Sequence, residues 1–427
     1  MNLLKKVDYT KELLSYIDKS KSPFHAIDVT RAFLQGEGFE ELNEKASWSI
    51  KKGRSYFVTR NDSSIIAFTT PKNAVAGFHM VASHSDSPSF KVKEHGEMGV
   101  EGVYTKLNVE RYGGMIMNTW FDRPLSVAGR LYVNSEKGIV RKLIDIDEDM
   151  MVIPNLAIHM NREINDGYKY NAQTDMCPLV CVSTGTDKFM EYVASAAGVK
   201  AEDILGQDLY LYTRESGRVI GMEKDMILSP RLDDLACAYT SVQALAESIP
   251  TDYINVCAIL DNEEVGSSTR QGADSDFLEN TLKRIVYAFG GTEETYMKAI
   301  ADSFMISADN AHALHPNHTA KADPTNRPVL NGGIVIKYSS NQKYTTDAKT
   351  GSVMKKICMD AGVPFQTFYN RSDMLGGSTL GNISTTHVSV PSVDIGMPQL
   401  AMHSAVETAG VKDVAYMVQA FKGFYKS

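Results

Sequence analysis

Apolar residues fall along this chain in two kinds of run. Short, nearly uninterrupted runs at 65–68, 77–83, 253–260, 304–308, 334–338 and 389–395 predict buried strands. Between and after them, residues 235–249, 277–289, 347–361 and 411–425 carry apolar positions at helical spacing. The first of these helices ends before Pro250, which cannot continue it. Strands that alternate with helices predict an α/β fold whose sheet is covered on both faces. The N-terminal stretch 1–20 alternates charge with apolar residues. It places Leu3, Leu4, Val7, Leu13, Leu14 and Ile17 on or near one helical face, so it predicts an amphipathic helix rather than a signal peptide.

The texture changes between about residue 91 and residue 223. Short strand-like runs at 99–104, 125–134 and 138–144 are separated by glycines and charges, with one helical stretch at 186–204. This predicts a β-rich module inserted into the α/β domain. The expected organisation is a domain of residues 1–91 and 224–427, with a central mixed sheet flanked by helices, and an inserted domain at 92–223.

Composition narrows the function. A chain of 427 residues with 43% hydrophobic and 22% charged residues builds a large core without disulfides. A net charge of −8 and the lack of a basic run argue against nucleic acid as a partner. No apolar run approaches the length of a membrane span. The five cysteines, Cys177, Cys181, Cys237, Cys257 and Cys358, lack zinc-finger spacing. They read as reduced thiols in a cytoplasmic protein.

The candidate chemistry gathers at strand ends. The run 253–260 leads directly into Asp261-Asn262-Glu263-Glu264. Two adjacent carboxylates are costly to bury unless a cation faces them or one is protonated. A divalent metal supplies that charge: one glutamate ligates it, and the other stays free to act as a base. Further ligand types stand at His84-Ser85-Asp86, Asp233-Asp234, Asp309-Asn310 and His403. Taken singly, each has a plain structural reading; aspartates before a helix, for instance, are common N-caps. Taken together they put two histidines and several carboxylates at the strand ends, where open α/β sheets bind ligands. Asp86 is placed to hold the second ring nitrogen of His84. Nitrogen and oxygen donors without cysteine suit zinc, cobalt or manganese.

Seven segments carry a resemblance: SHSDSPSFKVK (83–93), TWFDRPLSVAGR (119–130), IPNLAIHMNREIN (153–165), SPRLDDL (229–235), DNEEVGS (261–267), SADNAHALHPN (307–317) and PQLAMHS (398–404). In this order the chain resembles the aspartyl aminopeptidase family of dinuclear metallo-aminopeptidases. The resemblance implies that His84, Asp233 and Asp309 hold one metal ion. Asp233 would bridge to a second ion held with Glu264 and His403. Glu263 would be the general base, and Asp86 would orient His84. His159 would reach a neighbouring subunit's active site and stabilise the oxyanion. The inserted domain would drive dimerisation, and dimers would assemble into a dodecamer. The substrates implied are peptides with a free N-terminus and an acidic first residue. Lys337 is the candidate cation for that side chain; a solvated strand lysine is its plain reading.

Relatives commonly carry Asn where this chain has Asp234, which adds an acidic group beside the proposed bridge. His312, His315 and His318 form a cluster inside or next to a matched loop and read as structural or substrate-side groups. His25, His79, His95 and His387 read as structural. Three alternatives stay open: an aminopeptidase of neutral or broad specificity, a dinuclear deacylase or carboxypeptidase, and a non-enzymatic shell with a degenerate site. The last predicts loss of a ligand or of the base, and the chain has both.

Overall fold

A computed structural model describes residues 7–73, 75–183 and 188–427. Leu3 and Leu4, and the start of the helix expected at 186, lie outside the described residues. The chain divides into two compact units. Residues 1–86, 217–402 and 407–427 form the first, and residues 87–216 with 403–406 form the second.

The first unit is built on a nine-stranded sheet. Its order is Glu40–Leu42, Ser55–Arg60, Ser64–Thr69, Ile254–Leu260, Phe78–His84, Phe304–Ala308, Ser392–Gly396, Ile334–Lys337, Phe365–Phe368. The four strands Ile254–Leu260, Phe78–His84, Phe304–Ala308 and Ser392–Gly396 run parallel. Antiparallel pairing on either side makes the sheet mixed. Phe78–His84 and Ile254–Leu260 are buried along their whole length, which explains runs without alternation. Their side chains feed two cores. Val81, Cys257 and Ile259 join the core that includes Leu235, Leu245, Phe421 and Phe424. Met80, Ala82, Val256 and Ala258 join the core that includes Phe277, Leu282 and Ile285.

Helix limits follow local chemistry. Val411–Tyr425 and Phe277–Ala288 lie where the spacing places them. Ala348–Ala361 starts from an Asp347–Thr350 capping box and stops at Gly362. Tyr9–Lys19 starts at Asp8, whose side chain accepts from the Lys11 N–H. Pro23–Gly36 has no counterpart in the expected elements; Ser22 caps it and Pro23 occupies its first turn. Leu232–Ala246 begins three residues earlier than the spacing suggests, and this brings Asp233 and Asp234 to its start. The final parallel strand begins at Ser392 rather than 389, beyond Pro391.

The second unit holds a six-stranded sheet in the order Gly138–Asp145, Leu125–Ser135, Ile204–Thr213, Ser89–Val100, Tyr104–Tyr112, Leu179–Cys181. Its pairings are antiparallel. Phe90, Leu107, Val127, Leu131, Leu209 and Leu211 make its core. Two expected elements are corrected here. Residues 99–104 are not one strand but a hairpin turn, with Glu101 and Gly102 at φ of 51° and 69°. That conformation admits Gly and breaks the strand between its arms. The helical stretch is confined to Lys188–Ala197. Gly198, at φ 63°, ends it, and by Ile204 the chain has entered a strand.

Candidate active site

Three parallel strands of the first unit's sheet end in acidic or imidazole groups. Phe78–His84 ends on His84, Ile254–Leu260 leads into Asp261 to Glu264, and Phe304–Ala308 leads into Asp309. The fourth contributor is the start of Leu232–Ala246. Donor atoms of His84, Asp233, Asp234 and Asp309 all lie within 4.8 Å of one another, and all four residues are buried. Donor atoms of His84, Glu263 and Glu264 meet the same limit.

The orientation of His84 is set from one side. Its Nδ1 lies 3.1 Å from the Asp86 carbonyl oxygen and 3.3 Å from Asp86 Oδ1. This favours a proton on Nδ1 and leaves Nε2 as the lone-pair donor. Asp86 is wholly buried and also accepts from the N–H of Glu263 at 3.2 Å and of Glu264 at 3.1 Å. One carboxylate thus ties the imidazole to both glutamates. Three residues outside the expected set steady the other side. Glu407 accepts from the Asp233 N–H at 3.0 Å. Asn310 Nδ2 donates to the Leu232 carbonyl at 2.8 Å and to Gln399 Oε1 at 2.9 Å. Nothing in the local sequence distinguished these residues, because their partners are distant in the chain.

The electrostatics show what the cluster lacks. Glu263 is pushed up to about 8, by burial first, with His84 opposing and Asp309, Asp86 and Asp233 adding to it. Asp309 is raised by burial, with Lys337 opposing. Asp234 is raised well above the usual carboxyl range, by burial first and by Asp309 and Asp233. Its Oδ2 accepts from the His84 N–H at 3.1 Å. Burial works against an imidazolium at His84, yet Asp234, Asp233, Asp86 and Glu263 raise its pKa well above 6.5.

These donors fit a divalent cation. Nε2 of His84 stands 3.5 Å from Asp233 Oδ1. Two ligands at about 2.0–2.2 Å from a tetrahedral zinc are themselves about 3.4 Å apart. The excess of buried carboxylate is the second sign, since a buried charge needs a partner.

Lys337 is buried, at 2% exposure. Its Nζ donates to the Asp309 carbonyl at 2.7 Å, and lies 3.4 Å from both the Asn310 carbonyl and Asp309 Oδ2. Burial works against this ammonium, but Asp309, Tyr344 and Asp394 hold its pKa above the usual lysine value. It is therefore not a solvated strand lysine.

Two expected residues belong to the second unit. His403 Nδ1 meets the Gly114 carbonyl at 2.8 Å, which directs Nε2 away from it. His159 is exposed in a segment that also exposes Leu156, Ile158 and Met160. Asp122 holds the start of that segment, accepting from the Asn155 N–H at 3.0 Å and from its Nδ2 at 2.7 Å. The remaining histidines have other surroundings. His25 bonds Ser22, His79 stacks on Tyr253 with centroids 4.0 Å apart, His387 meets Asp274, and His95 is exposed.

A buried imidazole and carboxylates at the carboxyl ends of parallel strands define a metal-dependent α/β hydrolase. The chain belongs to the family described as aminopeptidase I zinc metalloprotease (M18), whose profile matches residues 16–425. It is 46% identical over 428 residues to a probable M18 family aminopeptidase 2 of Clostridium novyi, covering 98% of this chain and 99% of the relative. A counterpart from Pseudomonas savastanoi is 40% identical, covering 97% of each. Among solved structures, Ape4 in its cryo-EM complex with Nbr1 superposes with a TM-score of 0.94 at 34% identity, covering 100% of this chain and 87% of that one. The mApe1 dodecamer of S. cerevisiae gives 0.86 at 27% identity, covering 98% and 96%. The protein is thus a peptide-bond hydrolase that acts as an aminopeptidase, and its His and Asp cluster is able to bind metal.

Proposed function

We propose that the protein removes acidic N-terminal residues from peptides, using two divalent ions per subunit, zinc in the first instance and cobalt or manganese as alternatives. The observation that carries this reading is the buried His84, Asp233 and Asp309 cluster beside Glu263 and Glu264. One ion is held by His84, Asp233 and Asp309. The other is held by Asp233, Glu264 and His403. Bound there, the pair supplies a water of lowered pKa and a Lewis acid for the scissile carbonyl. Glu263 takes the proton of the attacking water and passes it to the leaving amine. His159 of a neighbouring subunit meets the oxyanion. The free α-amine of the substrate is held at the carboxylate-rich end of the site, which restricts cleavage to the first residue.

The assignment of ligands has a direct check. Glu264→Ala or His403→Ala is expected to lower the metal content from two ions toward one per chain. Elemental analysis that still finds two ions in either variant removes that residue from the ligand set.

Lys337 supports the acidic preference. Its two longer contacts, at 3.4 Å, exceed the roughly 2.7–2.9 Å of a charge-assisted hydrogen bond. Once a metal engages Asp309, the ammonium has charge left for a substrate carboxylate. On a panel of aminoacyl substrates, the wild type is expected to favour Asp and Glu over Asn, Gln and Leu. Acetylation of the α-amine is expected to abolish cleavage. Lys337→Met is expected to lower kcat/KM on the acidic substrates by about 10–100-fold, the loss of a charged hydrogen bond, with little effect on neutral ones. Equal turnover of blocked and free peptides would favour the deacylase reading. An unchanged acidic-to-neutral ratio in Lys337→Met would return Lys337 to a structural role.

We place the protein in the cytoplasm as a dodecamer assembled from dimers, the dimers formed through the inserted segment, 92–223. Its five free cysteines and the exposed Leu156, Ile158 and Met160 support that placement and that assembly. The named mApe1 dodecamer is a further support. Among the described residues no helix is long and apolar enough to cross a membrane.

A further inference from the structure

A cavity of about 310 Å³ opens in the first unit beside the Asp309 loop. His312, three residues past Asp309, lines it, and so does Gln399, whose Oε1 accepts from Asn310 Nδ2 at 2.9 Å. Its walls are unusual for this chain. The protein has 52 acidic residues and a net charge of −8, yet no Asp or Glu lines the cavity. Three of its ten histidines do, His312, His315 and His318, together with Lys321 and Arg371.

These groups differ in what they offer. Arg371 is held by Asp373 through Nε at 2.8 Å and Nη2 at 2.7 Å, so its charge is already matched. Among the described residues the Lys321 ammonium has no carboxylate within 4 Å; its charge is felt by Asp373, which Arg371 already holds. His315 Nδ1 accepts from the Asn317 N–H at 3.2 Å, which leaves Nε2–H as a donor. The His315 and His318 rings lie 4.8 Å apart. A wall of donors without a carboxylate selects an anion. The volume exceeds that of one acidic side chain, and His312, His315, His318 and Lys321 are exposed, as the open end of a cleft for longer peptides must be.

We propose that this cavity is a subsite for a carboxylate on the leaving part of the peptide, either the side chain of an acidic second residue or the terminal carboxylate of a dipeptide. The inference rests on the aminopeptidase reading above and adds a second acidic preference beyond the first residue. The imidazole N–H of His315 and the ammonium of Lys321 hold the carboxylate while the first residue is cleaved.

Two pairs of peptides test it, all beginning with aspartate. One pair is amidated and differs only in Glu or Gln at the second position. The other is an aspartyl-alanine dipeptide with a free or an amidated terminus. Binding is measured by calorimetry to metal-loaded Glu263→Gln protein, with and without Lys321→Met and His315→Gln. The acidic member of at least one pair is expected to bind about 10-fold more tightly, the worth of one charged hydrogen bond. Which pair responds identifies the source of the carboxylate. The two added substitutions lie on exposed positions and are expected to cut the preference to below about threefold. Equal binding within both pairs overturns the proposal, and so does a preference that survives both substitutions. Turnover of the same peptides by the wild type is scored apart. If none is cleaved, the aminopeptidase reading fails, while the binding preference still decides the subsite.

Discussion

Glu263→Gln is expected to lower kcat by about 10²–10⁴-fold, the usual effect of losing a general base, while metal content stays at the wild-type level. The amide keeps the size of the side chain and removes its ability to take a proton. The backbone at this point does not depend on that side chain, because Asp86 accepts from the N–H of both Glu263 and Glu264. With no cation present, burial and neighbouring carboxylates push Glu263 up to about 8. Cations at the cluster oppose those carboxylates and favour the ionised base. Activity on an aspartyl substrate and elemental analysis of the same sample settle the assignment. A variant that keeps more than about a tenth of kcat has its base elsewhere. A variant that loses metal shows instead that Glu263 is a ligand.

Mixing two inactive variants, His159→Ala and Glu263→Gln, is expected to restore activity once subunits exchange. His159 lies in the second unit, in an exposed segment with Leu156, Ile158 and Met160. Three exposed apolar side chains around one imidazole fit a surface that another chain covers. If His159 serves a partner's site, a mixed pair contains one site with an intact Glu263 and an intact His159. At most about half of the sites in such pairs regain function, against a background lowered about 10²-fold or more by each substitution. Native mass measurement must show that mixed oligomers formed. Mixed oligomers without activity would mean that His159 acts within its own chain or only supports its loop.

Much of this site is legible before any folding is considered. His84, Glu263, Glu264 and Asp309 each follow an apolar run, and a strand that ends on a charged group declares itself. Asp233 is less legible, because aspartates before a helix are usually caps. Only the position of Leu232–Ala246 brings its carboxylate to His84 Nε2 at 3.5 Å. Lys337 read equally well as a solvated residue. Its burial and its bond to the Asp309 carbonyl come from strand pairing between Ile334–Lys337 and Ser392–Gly396, which local periodicity does not encode. The supporting roles of Glu407, Asn310 and Gln399 were invisible for the same reason.

By itself, the sequence determined the class of fold, the ends of the central strands and the residue types of a metal site, because hydrophobic period and strand-end chemistry are local properties. Tertiary structure alone decided which carboxylates are brought together, which of them burial raises in pKa, and that Lys337 is buried against Asp309. Those outcomes depend on burial and on distances between segments more than a hundred residues apart, such as His84 and Asp234. In that dry interior a separation of a few ångströms sets the charge of each group.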